Sequence, residues 1–278
     1  MPNIDPVAFH LGSLTVRWYG IFITVAILSG YIVSCLNAKR RGVKLDMMLE
    51  VFLFAVPLAI LGARLSYVLF HAKDFAVHSW SDFLRIFAIR KGGISILGAI
   101  PGGALGVYIA CKINKVPLSY LLDIIAPGLI LGQALGRWGN WANQELYGRM
   151  ITNESYQVFP IAVFIERENA WFQATFFYEM VLNLIGFAIL MAVFYRSKKN
   201  LLTFMTYLCW YMVVRAVMEV FREDAVFVGS IRLGVLGCAI AAGISMVITV
   251  LIYVGKIRTG KPVVLEQPEK NKLPDTLK

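Results

Sequence analysis

The sequence predicts an all-α, polytopic membrane protein with about seven transmembrane helices, its N-terminus outside and its C-terminus in the cytoplasm. Three observations carry that prediction. The 278 residues are 58% hydrophobic and only 16% charged, whereas soluble domains carry about 25% charged residues. The apolar residues fall into blocks about 20 residues long, each enough to cross a hydrocarbon core of roughly 30 Å. Lysine and arginine are also shared unequally between alternate loops.

The blocks cover residues 16–36, 47–70, 94–113, 118–135, 176–195, 201–220 and 233–254. Their interiors are rich in Leu, Ile, Val and Phe with scattered Gly, as spanning helices tolerate. A soluble bundle would show a polar stripe on each helix, and most of these blocks lack one. The first block reads as a retained span. Its apolar run exceeds an ordinary signal-peptide core, and neither a basic leader nor a small-residue cleavage site flanks it. Cys35, Cys111, Cys209 and Cys238 are scattered through the spans without a C-x-x-C pair and read as small apolar fillers.

Fifteen basic residues fall in the loops after the first, third and fifth blocks and in the C-terminal tail, against ten on the other side. The basic excess in short loops marks the cytoplasmic face. The net charge of +10 then reflects topology and attraction to anionic headgroups, not nucleic acid. Residues 1–255 read as one transmembrane domain with an outer loop or cap near 136–175. Residues 256–278 read as a basic, disordered cytoplasmic tail. No internal repeat supports a transporter built from inverted halves.

Ionisable groups at membrane depth are costly and mark function or have a partner. Arg64 lies in the second block, Glu179 begins the fifth, and Arg215 and Glu219 close the sixth. Arg137, Asn140 and Glu145 follow the fourth, Tyr19 begins the first, and the Gly92-Gly93 stretch opens the third. The topology puts all of them toward the outer face, which predicts a polar cavity level with the outer headgroups. Arg215 and Glu219 are four apart and share a helix face, which also fits a simple self-neutralising pair. Gly136, Gly139 and Gly148 around Arg137 suggest irregular backbone. Several arginines in such a place suit a phosphate, which planar guanidinium groups bind bidentately. The ligand suggested is an anionic phospholipid headgroup. No metal-ligand spacing, nucleophile elbow or phosphate-binding loop is present, and no cofactor is expected. His10, His71 and His78 read singly as surface or interfacial residues.

The run Gly136-Arg137-Trp138-Gly139-Asn140-Trp141-Ala142-Asn143-Gln144-Glu145-Leu146-Tyr147-Gly148 resembles the signature of prolipoprotein diacylglyceryl transferases. Three further stretches agree in order: Leu14 to Gly20, Gly62 to Leu69, and Tyr211 with Arg215, Glu219, Phe221 and Arg222. The resemblance runs from about Phe9 to Arg222. It implies a multi-pass enzyme of the bacterial plasma membrane acting on phosphatidylglycerol and on preprolipoprotein signal peptides bearing a lipobox cysteine. The diacylglyceryl group would pass to the cysteine thiol as a thioether, and glycerol phosphate would leave. By the same resemblance Arg137 binds the phospholipid and Arg215 meets the phosphate or leaving group, making these two the expected catalytic residues. Asn140, Glu145, Tyr211 and Glu219 would orient the glycerol and the arginines, with Tyr19 adding a hydrogen bond near the acceptor.

Two positions depart from the family pattern. Leu97 stands where the family commonly has a histidine proposed to activate the thiol. Gln173-Ala174 precedes Thr175 where His-Pro is usual. Leucine cannot move a proton, so arginines could lower the thiol pKa, or Glu179, Tyr19 or an outer histidine could substitute. Two alternatives remain at this level: a non-catalytic paralogue that binds phosphatidylglycerol or signal peptides, and a transporter of anionic substrates.

Overall fold

The computed structural model describes residues 5–12, 14–75, 92–221, 227–228, 231–257 and 259. His78, Arg222 and nearly all of the expected tail lie outside the described residues. Seven α-helices occur among the described residues: α1 (Trp18–Arg40), α2 (Leu45–Phe70), α3 (Ile96–Asn114), α4 (Leu118–Ala142), α5 (Thr175–Arg196), α6 (Leu202–Val220) and α7 (Leu233–Val254). Each corresponds to one apolar block of the sequence. Six of them are long and apolar enough to cross a membrane. The exception, α6, has the length, but Arg215, Glu219 and several aromatic polar groups dilute its apolar character.

Three short antiparallel hairpins accompany the helices: β1 (Val7–Leu11) with β2 (Leu14–Arg17), β3 (Ala162–Ile165) with β4 (Ala170–Gln173), and β5 (Phe227–Val228) with β6 (Ile231–Arg232). These hairpins are absent from the sequence reading. Strands of two to five residues are too short to display a period-2 pattern.

By contacts the chain divides into two units. One holds α1 up to Asn37, most of α4, and everything from α5 onward; the other is Ala38–Leu121.

In the first unit, α6 packs against both α5 and α7. Ala126, Ile130, Leu190 and Tyr207 form a buried cluster joining α4, α5 and α6. Helices α1 and α4 meet through glycine: a Cβ on Gly30 would lie 2.7 Å from the Gly128 carbonyl oxygen. Such small-residue contacts let backbones approach where lipid offers no hydrophobic drive between helices. Asn37 donates to the Ile124 carbonyl at 3.1 Å across the same seam. The fully buried Asp123 carboxylate accepts from the Phe204 amide at 2.8 Å. A carboxylate on the first turn of α6 satisfies an orphan donor and faces the positive end of the helix dipole.

In the second unit, α2 and α3 pack along their lengths. Arg64, 4% exposed, donates to the carbonyls of Gly92 and Gly93 at 2.8 and 2.7 Å. Its guanidinium also lies over the rings of Tyr67 and Phe75. Both glycines adopt positive φ, 81° and 79°, which a glycine tolerates without steric cost. Arg64 therefore pins the turn leading into α3.

Candidate active site

The polar residues of the first unit gather where α4 and α6 end and α1, α5 and α7 begin. Arg137 and Asn140 lie on the last two turns of α4. The backbone there is helical through Ala142, contrary to the irregular conformation suggested by the neighbouring glycines. Gly139 instead supplies room: a Cβ there would lie 3.0 Å from the Tyr19 ring. Tyr19 thereby packs flat on α4, close enough to Glu145 and Arg137 to feel both charges.

Irregular backbone begins at Asn143. Gln144 and Leu146 adopt left-handed φ of 51° and 55°, a conformation of order 1 kcal/mol or more in cost for such residues. This turn doubles the chain back onto α4. The Glu145 amide donates to the Asn140 carbonyl at 3.0 Å, and the Asn140 side-chain amide donates to the Glu145 carboxylate at 2.9 Å. Thr175, at the start of α5, fastens the turn by donating to the Leu146 carbonyl at 2.6 Å. Beyond it, β3 and β4 fold over an apolar cluster of Val163, Ile165, Phe172, Ala174 and Phe176, packed against Trp138, Trp141 and Tyr147. The signature tryptophans are thus structural, joining the hairpin to α4.

At the centre stands Glu179, one turn into α5 and 3% exposed. Its carboxylate accepts a charge-assisted hydrogen bond from Arg137 and lies 3.6 Å from Arg215. Arg215 also pairs with Glu219 at 3.3 Å, and Arg137 reaches the Asn140 side-chain oxygen at 3.3 Å. The i,i+4 pair expected on α6 therefore exists but is not self-contained: Glu179 ties it to α4. Tyr211 stacks on Tyr207 with ring centroids 5.9 Å apart and is within electrostatic reach of Glu179, Arg215 and Arg137. The Tyr207 hydroxyl accepts from Gln133 at 2.8 Å. Arg137, Asn140, Thr175, Glu179, Arg215 and Met218 line a small cavity.

Two more arginines come to this end of the unit. Arg149 donates to the Val220 carbonyl at 3.1 Å, and Arg232 donates to the carbonyls of Glu219 and Val220 at 3.0 Å. Cations at the C-terminus of α6 satisfy its orphan carbonyls and oppose its dipole. The whole group holds four arginines against Glu145, Glu179 and Glu219. That balance favours an anion, and the planar forks suit phosphate oxygens.

All the residues expected at the site, Tyr19, Arg137, Asn140, Glu145, Tyr211, Arg215 and Glu219, join this one network or border it. Glu179 is the residue missing from the expected set, although its depth in an apolar block was its signal. Arg149 and Arg232 carried no signal beyond their charge. Arg64 and Leu97 belong to the other unit. Leu97, 65% exposed, sits on the first turn of α3, where its amide donates to the N-capping Ser95 at 3.3 Å. Gln173 has a structural task, accepting from the Arg149 amide at 3.2 Å, while Ala174 is fully buried beside the start of α5. His10 meets Thr15 across β1 and β2, and His71 stacks on Tyr67; neither enters the network.

Comparison with known proteins is consistent across the whole chain. The family model described as prolipoprotein diacylglyceryl transferase matches residues 6–252. A phosphatidylglycerol–prolipoprotein diacylglyceryl transferase of Clostridium botulinum (strain Langeland) is 39% identical over 233 residues, 82% of this chain and 89% of the relative. The protein of that name from Clostridium kluyveri is 37% identical over 90% of this chain and 96% of its own. The one from Pediococcus pentosaceus is 35% identical over 99% of this chain and 95% of its own.

Proposed function

The chain belongs to the prolipoprotein diacylglyceryl transferase family, and from that premise we propose that it moves the diacylglyceryl group of phosphatidylglycerol onto the lipobox cysteine of preprolipoproteins. The observation that carries this reading is the Arg137–Glu179–Arg215 bridge: two guanidinium groups held by one buried carboxylate at the edge of a multi-pass bundle. The cysteine sulfur attacks the glycerol carbon that bears the phosphate. The carbon–oxygen bond breaks as the thioether forms, and glycerol phosphate leaves with the electron pair. Negative charge grows on the departing phosphate, so preorganised cations there lower the barrier more than they stabilise the ground state. Arg137 and Arg215 take that role, with Glu179 and Glu219 fixing their orientation.

Asn140 and Glu145 offer an amide and a carboxylate for the glycerol hydroxyls, and Tyr19 borders them. The thiol must lose its proton. With leucine at position 97, the positive potential of the arginine group favours the thiolate, and the exposed Glu145 carboxylate is placed to accept the proton. The reaction then runs at the outer headgroup level of the bacterial plasma membrane, with the N-terminus outside and the signal peptide arriving from the lipid.

Leu97 and Gln173-Ala174 favour one other reading, a paralogue that binds phosphatidylglycerol or signal peptides without transfer. The two separate in one assay. Purified protein in nanodiscs receives phosphatidylglycerol and a lipobox peptide, and mass spectrometry looks for a diacylglyceryl adduct on cysteine. An adduct supports the transferase. Folded protein that binds the lipid and yields no adduct supports the paralogue.

A further inference from the structure

At the end of α6 opposite Arg215 lies a second and larger opening. A cavity of about 1290 Å³ is bounded by the C-terminal half of α5, the first turns of α6 and the end of α7. Ile189 and Val193 of α5, Leu202 of α6 and Val250 of α7 give it apolar walls. Its rim is basic: Arg196 ends α5, and Lys198 and Lys199 follow in the link to α6. Among the described residues, none that lines it is acidic. The volume exceeds the roughly 300–1,000 Å³ of small-molecule pockets.

Lys199 is already engaged, donating to the carbonyls of Ile252 and Tyr253 at the end of α7 and lying 5.6 Å over the Tyr253 ring. It holds the far wall of the groove in place. Arg196 and Lys198 are both exposed at the mouth. Apolar walls alone would accept any lipid tail. Two cations at the mouth with no acid beside them select the headgroup, because basic residues at a membrane surface attract anionic lipids.

We propose that this groove holds one anionic glycerophospholipid, its phosphate at Arg196 and Lys198 and its acyl chains along the α5, α6 and α7 walls. The site is separate from the arginine group: Leu202 and Arg215 are thirteen residues apart on α6, roughly 20 Å of helix. The basic-residue asymmetry of the loops puts it in the opposite leaflet. It binds lipid to brace the open side of α6 and takes no part in transfer.

Native mass spectrometry of the full chain, titrated with dioleoyl phosphatidylglycerol or dioleoyl phosphatidylcholine, tests this. The wild type retains a phosphatidylglycerol that survives Arg137→Ala, and the double variant Arg196→Gln, Lys198→Gln binds it roughly tenfold more weakly. Val193→Trp, which keeps the cations and fills the groove, also loses it. Equal retention of the zwitterionic lipid would overturn the proposal. So would unchanged binding by both groove variants, or loss of that lipid in Arg137→Ala.

Discussion

The Glu179 carboxylate accepts from Arg137 and faces Arg215 at 3.6 Å, so glutamine there keeps the shape and removes the charge between two cations. Glu179→Gln is expected to lower the transfer rate about 10²-fold, the scale of losing a preorganised electrostatic element, while the protein extracts and elutes like wild type. Arg215→Lys keeps the charge but not the planar fork; its loss is expected in kcat, measured on the lipobox peptide, more than in KM for phosphatidylglycerol. Leu97→Ala should change the rate by no more than about twofold, because an exposed leucine holds no proton; a larger loss would show that the position acts in some other way. Arg137, Asn140, Glu145, Arg215 and Glu219 were legible in the sequence because charges at membrane depth need a reason. Glu179 was visible as one of them, but not its role, which depends on Arg137 forty-two residues away in the chain.

Among the elements, α4 does the most to build the site. It brings Arg137 and Asn140 to the headgroup level only because it continues to Ala142, where the apolar block alone suggested an end near 135. The error is physical: a helix keeps its hydrogen bonds past the apolar region when its polar turns are covered by other chain, here the turn at Glu145 and the β3–β4 hairpin. Gly139 and Gly30 on the two faces of the α1–α4 seam give opposite tests. Gly30→Val drives a side chain into the Gly128 carbonyl and is expected to lower thermal stability, overpacking of this kind costing about 1–3 kcal/mol. Gly139→Val displaces the Tyr19 ring, so transfer should fall further than the melting temperature. A Gly139 variant that melted early with normal activity while folded would contradict the role given to Tyr19. The apolar blocks located all seven helices; the hairpins escaped because their strands are too short to declare a period.

For the whole molecule, the basic asymmetry sets a topology with the arginine group outside and the Arg196–Lys199 rim inside. Single cysteines at Ser155 and Lys198, both exposed, introduced into a variant without the four native cysteines, should report it. An impermeant maleimide is expected to label the Ser155→Cys protein in intact spheroplasts and the Lys198→Cys protein only after lysis. The reverse pattern would invert the topology and put the arginine group on the cytoplasmic side, away from where exported signal peptides present their lipobox. Composition was enough to identify a membrane bundle, but the gathering of four arginines at one end of α6 was not legible from it, since Arg149 and Arg232 reach the helix through loop geometry.

The central claim is that the group around Arg137 performs transfer. It is tested most directly by the transfer rate of Arg137→Ala beside wild type, in nanodiscs containing phosphatidylglycerol, with the adduct on a lipobox peptide read by mass spectrometry. The account predicts no adduct above background from a variant that is folded in the membrane. An ordinary rate from that variant would place the chemistry elsewhere.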